Sequence, residues 1–438
     1  MLRDETPTAQ ARLDSVRGGP LSHAQRRFLM AEHFSPGAAD NTLVQVYILT
    51  GPLQPDTLGQ ALQQVVARHP VLRTVYPWAN GQPIQLVLSV RDVMVQLEYV
   101  PPPLDRAMSV QEVAEAVTAD WWDTLWALDR EPPVEARLCR LSEGQHLLCL
   151  RFHHIAFDGW SEGVFLRDLE LAYRQALAGQ TPYSEPASGE LQAGAREREQ
   201  YSHWMAEELP YWETVLAAAP GPVLPTPQTN HEAACQELVE TLPPAAVTSL
   251  TSVVRRRGGP PTAAVVALAG LALSRAYATP DVCLGTLTSG RYEPVLDSAI
   301  GYFVNPLAVP LRSLLSDVSA VVDTAADQVL AAFEHARTPF DELVRLLRPE
   351  RPRHAWFQAW AILQGPLPSG ELADGLAFSS VRVRPPRTTR EWTLQVFPQA
   401  DGGWEFVQQW REDVMDRRTA ASVMGHLLDA AEEVCGLR

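Results

Sequence analysis

The segment from residue 145 to residue 160 constrains this chain most: an apolar, strand-like run reaches two histidines, then turns through an aspartate and a glycine into a helix-forming stretch. A period of two puts Leu148, Leu150, Phe152 and His154 on one face, and Cys149, Arg151 and His153 on the other. The two histidines therefore diverge. With the pleat kept to the strand end, His154 follows the apolar face inward and His153 meets different surroundings. Gly159 is expected to permit a sharp exit that a Cβ would resist. Residues 161–178 then form an amphipathic helix with Phe165, Leu169, Ala172 and Ala176 on one side, closed by Gly179.

Such a junction can hold chemistry or merely pack. A histidine at a strand end is often a hydrogen-bonded core residue, and Asp158 by itself reads equally well as a helix N-cap. The double histidine, the Asp-Gly pair and the following Trp160-Ser161 together favour chemistry, because an imidazole there can take a proton from an attacking amine or hydroxyl.

Composition excludes several other classes. The 438 residues are 46% hydrophobic and contain no apolar run long enough to cross a bilayer, and residues 1–14 lack the layout of a secretory signal, so a soluble cytoplasmic protein is expected. The five cysteines form no CxxC or Cys/His ligand spacing, and their odd number argues for buried thiols over a disulfide framework. A net charge of −16 disfavours nucleic acid as a partner. There is no lysine at all, which excludes Schiff-base chemistry and a P-loop.

Two units can be traced. Residues 1–178 hold helices near 22–32, 58–68 and 110–119, strands near 43–49 and 84–88, and a hairpin over 136–153 that turns at Ser142-Glu143-Gly144. Residues 179–194, rich in Pro, Ser, Gly and Gln, read as a connector. Residues 195–438 repeat the mixed pattern, with helices near 195–218, 245–257, 263–278, 320–336 and 417–434. Strands are expected there near 282–287, 307–311, 357–363, 377–383, 393–397 and 404–409. Interleaved strands and helices indicate an α/β or α+β fold.

The signature His153-His154-Ile155-Ala156-Phe157-Asp158-Gly159 resembles the HHxxxDG motif of the condensation domains of nonribosomal peptide synthetases, and further motifs of that family follow in order. Residues 21–28 are similar to SxAQxRxW, with Phe28 for the tryptophan. Residues 67–74 resemble RHExLRT, with Pro70 for the acid. Residues 300–305 match IGxFVN, trailed by Arg312, residues 338–344 resemble YPFExLV, and residues 351–358 loosely resemble RDxSRNP.

The resemblance implies two lobes, each like chloramphenicol acetyltransferase, forming a V-shaped pseudo-dimer with a central tunnel. It implies that His154 is the catalytic base or organiser of the nucleophile, that His153 shapes the loop, and that the Gly290-Arg291 pair brings Arg291 to a structural Asp158, where the alternative is a solvated loop arginine. Trp160, Ser161 and Asn305 are candidates to line the tunnel, although Asn305 fits a turn equally well. As a group, Trp160, Trp356, Trp360, Trp392 and Trp404 read as core aromatics. No metal or resident cofactor is implied; phosphopantetheine would arrive as the arm of a donor carrier protein, and the acceptor would come on a second carrier or as a free small molecule. A monomer is expected.

The implied reaction is attack of an amine on a carrier-tethered thioester, giving an amide. Ester formation from a hydroxyl acceptor is the nearest alternative, followed by a coenzyme A-dependent acyltransferase and a non-catalytic recruitment module of the same fold. The plant acyltransferase motif DFGWG is absent, and Trp160-Ser161 with residues 303–305 fit condensation better than epimerisation. The start at Met1 before the Ser22 motif, without a carrier serine motif or adenylation segment, suggests a free-standing enzyme, with an excised domain as the alternative. Arg345, Arg348, Arg351 and Arg353 are candidates for carrier docking, whereas Arg255, Arg256 and Arg257 fit an ordinary helix C-terminus.

Overall fold

The computed structural model describes residues 16–34, 37–103, 108–180, 190–227, 231–315, 317–348 and 356–436. Its helices are α1 (His23–Phe34), α2 (Pro55–Arg68), α3 (Val110–Thr118), α4 (Gly159–Leu177), α5 (Glu190–Ala217), α6 (Pro244–Arg256), α7 (Pro261–Tyr277), α8 (Val318–Glu334), α9 (Phe340–Leu347) and α10 (Arg417–Val434). Many starts are written in the sequence. Ser22 and Gln25 bond each other's backbone N–H ahead of α1, Ser109 and Glu112 do the same for α3, and Asp158, Asp317 and Asp416 cap α4, α8 and α10. Proline opens α2, α6 and α7, where its missing N–H costs nothing.

Two large mixed sheets carry these helices. The first runs in the order Ser369–Ala373, Leu376–Val381, Thr42–Thr50, Gln145–His153, Val134–Ser142, Leu97–Val100. Its core side, with Tyr47, Leu148, Leu150 and Phe152, packs against Val65 of α2 and Phe165 and Leu169 of α4. The opposite side, with Val46, Leu147 and Cys149, is covered by Val113, Ala114 and Val117 of α3. The second sheet runs Asn305–Leu311, Val282–Thr288, Ala359–Leu363, Trp392–Pro398, Trp404–Arg411, Ala233–Leu242, Arg387–Thr388. Helix α7 is apolar nearly all round and is buried on every side from Ala263 to Ser274, packed with α6, α8 and α10 against this sheet.

The mixed α/β fold is as expected, but the sheets do not follow the division into residues 1–178 and 195–438. Strand Leu376–Val381 pairs antiparallel with Thr42–Thr50, so a hairpin from late in the chain extends the early sheet. Residues 181–189 of the expected connector lie outside the described residues, and Glu190 already begins α5. Strand Ala233–Leu242 was not anticipated. It pairs with Trp404–Arg411 along its length and, near its start, with Arg387–Thr388, and most of its residues are half-buried, so no clean alternation marks it. Cys139, Cys149, Cys235 and Cys283 are buried free thiols and Cys435 is half-buried.

Candidate active site

The strand that delivers the signature ends at His153, and His154 to Ala156 form a single turn of 3₁₀ helix. The strand therefore ends before His154, and the turn, not the pleat, sets the direction of its ring. His153 is fully buried, its Nδ1 accepts the Ile155 N–H at 2.9 Å, and its Nε2 lies 3.5 Å from Glu32. Burial lowers its pKa despite the glutamate.

His154 is half-buried and faces the other way. Its Nδ1 lies 2.9 Å from the Phe157 carbonyl, an acceptor only, so Nδ1 carries the proton and Nε2 presents a lone pair. No described residue bonds that Nε2. Its ring stacks on Phe28 at 6.0 Å and meets the edge of Tyr302 at 5.5 Å. Burial, with a smaller contribution from the charge of Arg390, pushes its pKa down to about 3 against the partial compensation of the Phe157 carbonyl. The imidazole is neutral at pH 7.

Asp158 performs both roles considered for it. Its Oδ1 caps α4 through the Ser161 N–H at 2.8 Å, and Arg291 Nη2 donates to both of its oxygens, at 2.9 and 3.2 Å, with both side chains 1% exposed. The Phe303 N–H adds a bond at 3.2 Å. Arg291 is further anchored by the carbonyls of Leu296 and Ala299 and lies 4.4 Å over the Phe303 ring. Gly290 makes this approach possible: at φ +65° its Cα faces the Phe303 carbonyl, and a Cβ would stand 1.8 Å from that oxygen.

Several expectations need correction. Gly159 has no left-handed backbone, and a Cβ there would meet only Gln364 Oε1, at 3.9 Å, so the turn does not require glycine. Ser161 lines no tunnel: it is buried, and its Oγ bonds Asp158, Arg291 and both the N–H and carbonyl of Gly301. Asn305 is likewise occupied, donating to the Ala336 and Thr338 carbonyls and accepting the Phe340 N–H, which makes it a turn staple. Trp160 is no core aromatic; it is 51% exposed, with Nε1 donating to the Asp297 carbonyl. Of the docking arginines, Arg345 is engaged by Glu342 and Tyr201, Arg348 is exposed in a left-handed C-cap, and Arg351 and Arg353 lie outside the described residues.

The other motifs converge on this loop. Arg27, beside Phe28, reaches Asp341 of α9 and the Tyr302 hydroxyl. Arg68 and His69 both bond Asp168, at 3.0 and 2.7 Å, and so lock α2 to the helix that follows the signature. The role of Asp168 was missed because an acid in mid-helix gives no sequence signal of its partner.

Two mixed sheets, a strand-turn-helix junction with a neutral, outward-turned imidazole, and a buried aspartate-arginine pair beneath it define the HHxxxDG class of two-lobed proteins. The family model described as Condensation domain matches residues 17–436, and the chain belongs to that family. It is 32% identical to the isonitrile lipopeptide synthase of Mycobacterium tuberculosis over 76% of this chain but only 14% of that protein, and it spans 4% to 14% of the first three curated relatives it matches. Among solved structures, the X-domain from teicoplanin biosynthesis is similar with a TM-score of 0.79 and 25% identity, over 95% of each chain. The first condensation domain of the CDA synthetase is similar in fold, with a TM-score of 0.80 and 19% identity over 96% of each chain.

Proposed function

We propose that this chain joins a carrier-tethered acyl or aminoacyl thioester to an amine, forming an amide. The observation that carries the reading is the orientation of His154: the Phe157 carbonyl holds Nδ1–H, leaving the Nε2 lone pair for a substrate N–H. The amine nitrogen attacks the thioester carbonyl, forming the C–N bond and a tetrahedral oxyanion. Collapse breaks the C–S bond, the phosphopantetheine sulfur leaves, and the nitrogen loses a proton that neutralises the thiolate. Protonating a group with a pKa near 3 at pH 7 costs about 5 kcal/mol, so His154 acts first as an acceptor that orients the amine, and takes up charge only as the ammonium develops. Backbone N–H groups in the open first turn of α4, at Gly159 and Trp160, are donors available to the oxyanion.

A second reading, a recruiting module of the same fold, draws support from the likeness to the X-domain solved in complex with OxyB from teicoplanin biosynthesis. The experiment presents one acyl group on a phosphopantetheinylated carrier protein, on coenzyme A and on a truncated pantetheine, each with amine and alcohol acceptors, and identifies products by mass spectrometry. Amide formed efficiently from the carrier alone is the expected result. Equal kcat/KM from coenzyme A makes the chain a coenzyme A-dependent acyltransferase, faster ester formation makes it an ester synthase, and no product from any pair leaves the recruiting module.

A further inference from the structure

We propose that Arg390 binds the carboxylate of the acceptor, and that the acceptor is therefore a free α-amino acid and not a carrier-bound aminoacyl thioester. This rests on the condensation reading above. Its starting point is a positive charge that no anion among the described residues pairs with. Arg390 is half-buried, its guanidinium lies 5.0 Å over the Trp360 ring, and its side chain forms no ion pair or hydrogen bond with any described residue. Other arginines around the signature are engaged, Arg291 by Asp158 and Arg27 by Asp341. A half-desolvated guanidinium that keeps its donors open suits a carboxylate, which it can meet with two parallel N–H···O bonds.

Its backbone is held in place. Asp40 accepts the Thr389 N–H at 2.7 Å and the Thr388 hydroxyl at 3.0 Å, and Thr388 Oγ1 accepts the Arg390 N–H at 3.0 Å. Trp360 and Gln364 belong to the same side of one chain segment, and Gln364 Oε1 lies 3.9 Å from where a Gly159 Cβ would stand, so this side of the second sheet fronts the signature loop. From Gln364 a row of side chains, Gln364 to Gln395 to Gln409 to Glu237, crosses three neighbouring strands through bonds of 2.8, 3.1 and 2.9 Å. The surface beside the loop is thus hydrogen-bonding and suits a small polar acceptor.

The charge of Arg390 also lowers the pKa of His154. A carboxylate seated on the guanidinium would cancel that effect and make Nε2 a better acceptor when the amino acid is present.

The test needs no donor. Saturation-transfer NMR with the full chain measures binding of phenylalanine, glutamine and serine against phenylalaninamide, glutaminamide and serinamide, and the His154 ring is titrated with and without each ligand. At least one amino acid should bind tenfold or more tightly than its amide, with the His154 pKa raised on binding. Arg390→Gln should abolish that preference and Arg390→Lys keep part of it. Equal binding of acid and amide, no binding of any amino acid, or an unchanged preference in Arg390→Gln overturns the proposal. Should Arg390→Gln fail to fold, the acid-against-amide comparison in the wild type still decides. Amide formation with a carrier-bound acceptor but none with free amino acids would sink the proposal while leaving the condensation reading intact.

Discussion

Phe28 and His154 lie face to face, with ring centroids 6.0 Å apart and planes within 13° of parallel. Tyr302 closes the group, with its ring edge-on to both, at 4.8 Å from Phe28 and 5.5 Å from His154. The imidazole is fixed by a carbonyl at one nitrogen and by two aromatic rings from elements distant in sequence. Phe28→Ala should lower turnover by on the order of 10²-fold in a folded variant, because misplacement of about 1 Å carries that penalty. Phe28→Trp should keep most of the rate. Equal kcat in Phe28→Ala and the wild type would show that the stack does not position the ring.

His154→Ala should remain folded and lose on the order of 10²-fold or more in condensation rate. His153→Ala should lower stability instead, since it removes the acceptor of the Ile155 N–H and leaves Glu32 without its imidazole neighbour. Thermal unfolding and single-turnover assays of both variants separate the two roles. A fully active His154→Ala protein would remove that residue from the reaction.

Asp158 and Arg291 should be strongly coupled. Removing either leaves a buried charge without its partner, at a cost of roughly 3–5 kcal/mol. Asp158→Ala should be the worse of the two, because it also uncaps α4 and frees the Phe303 N–H. Denaturant unfolding of both single variants and the double variant gives the coupling energy, and additive losses would contradict the pairing.

The histidines also set a pH dependence. His154 has a folded-state pKa near 3 against 6.5 for the free group, and His153 is lowered as well. Between those values the unfolded chain binds more protons, so their contribution to stability is complete above about pH 6.5 and is lost as pH falls toward 3. Glu197, raised by burial to about 7, acts in the opposite sense, losing its contribution as pH rises through that value. The clean measurement is therefore a difference: the fall in unfolding free energy from pH 7 to pH 5 should be smaller in His154→Gln than in the wild type. An identical fall in both proteins would mean that His154 titrates normally.

Much of the site was legible because it is local. The strand through Phe152 and the helix after Gly159 follow from spacing within one short segment, and caps such as Ser22 with Gln25 are visible for the same reason; the two histidines do diverge, but through a 3₁₀ turn and not through the continued pleat that the spacing suggests. Ser161 and Asn305 depart from expectation because nothing beside them in the chain reveals their partners. Ser161 is bound to Gly301 and Asn305 to the backbone of 336–340, and a polar residue near a signature looks the same whether its partner is substrate or protein. Gly159 misled for the opposite reason: a glycine after an aspartate suggests a strained turn, yet its backbone is ordinary.

The sequence by itself determined the order and kind of most elements, the two-histidine junction and the family, since period, caps and motifs depend on neighbours a few residues apart. Only the tertiary structure decided which of the two imidazoles is sealed, that Asp158 is both cap and ion-pair partner, that a hairpin at 369–381 completes the first sheet, and that Arg390 stands over Trp360 with no anion among the described residues paired to it. The physical reason is common to all four. Burial, ion pairing, ring contacts and strand addition are set by groups brought together from dozens to hundreds of residues away, and the free energy of such encounters leaves no mark on the local pattern of either partner.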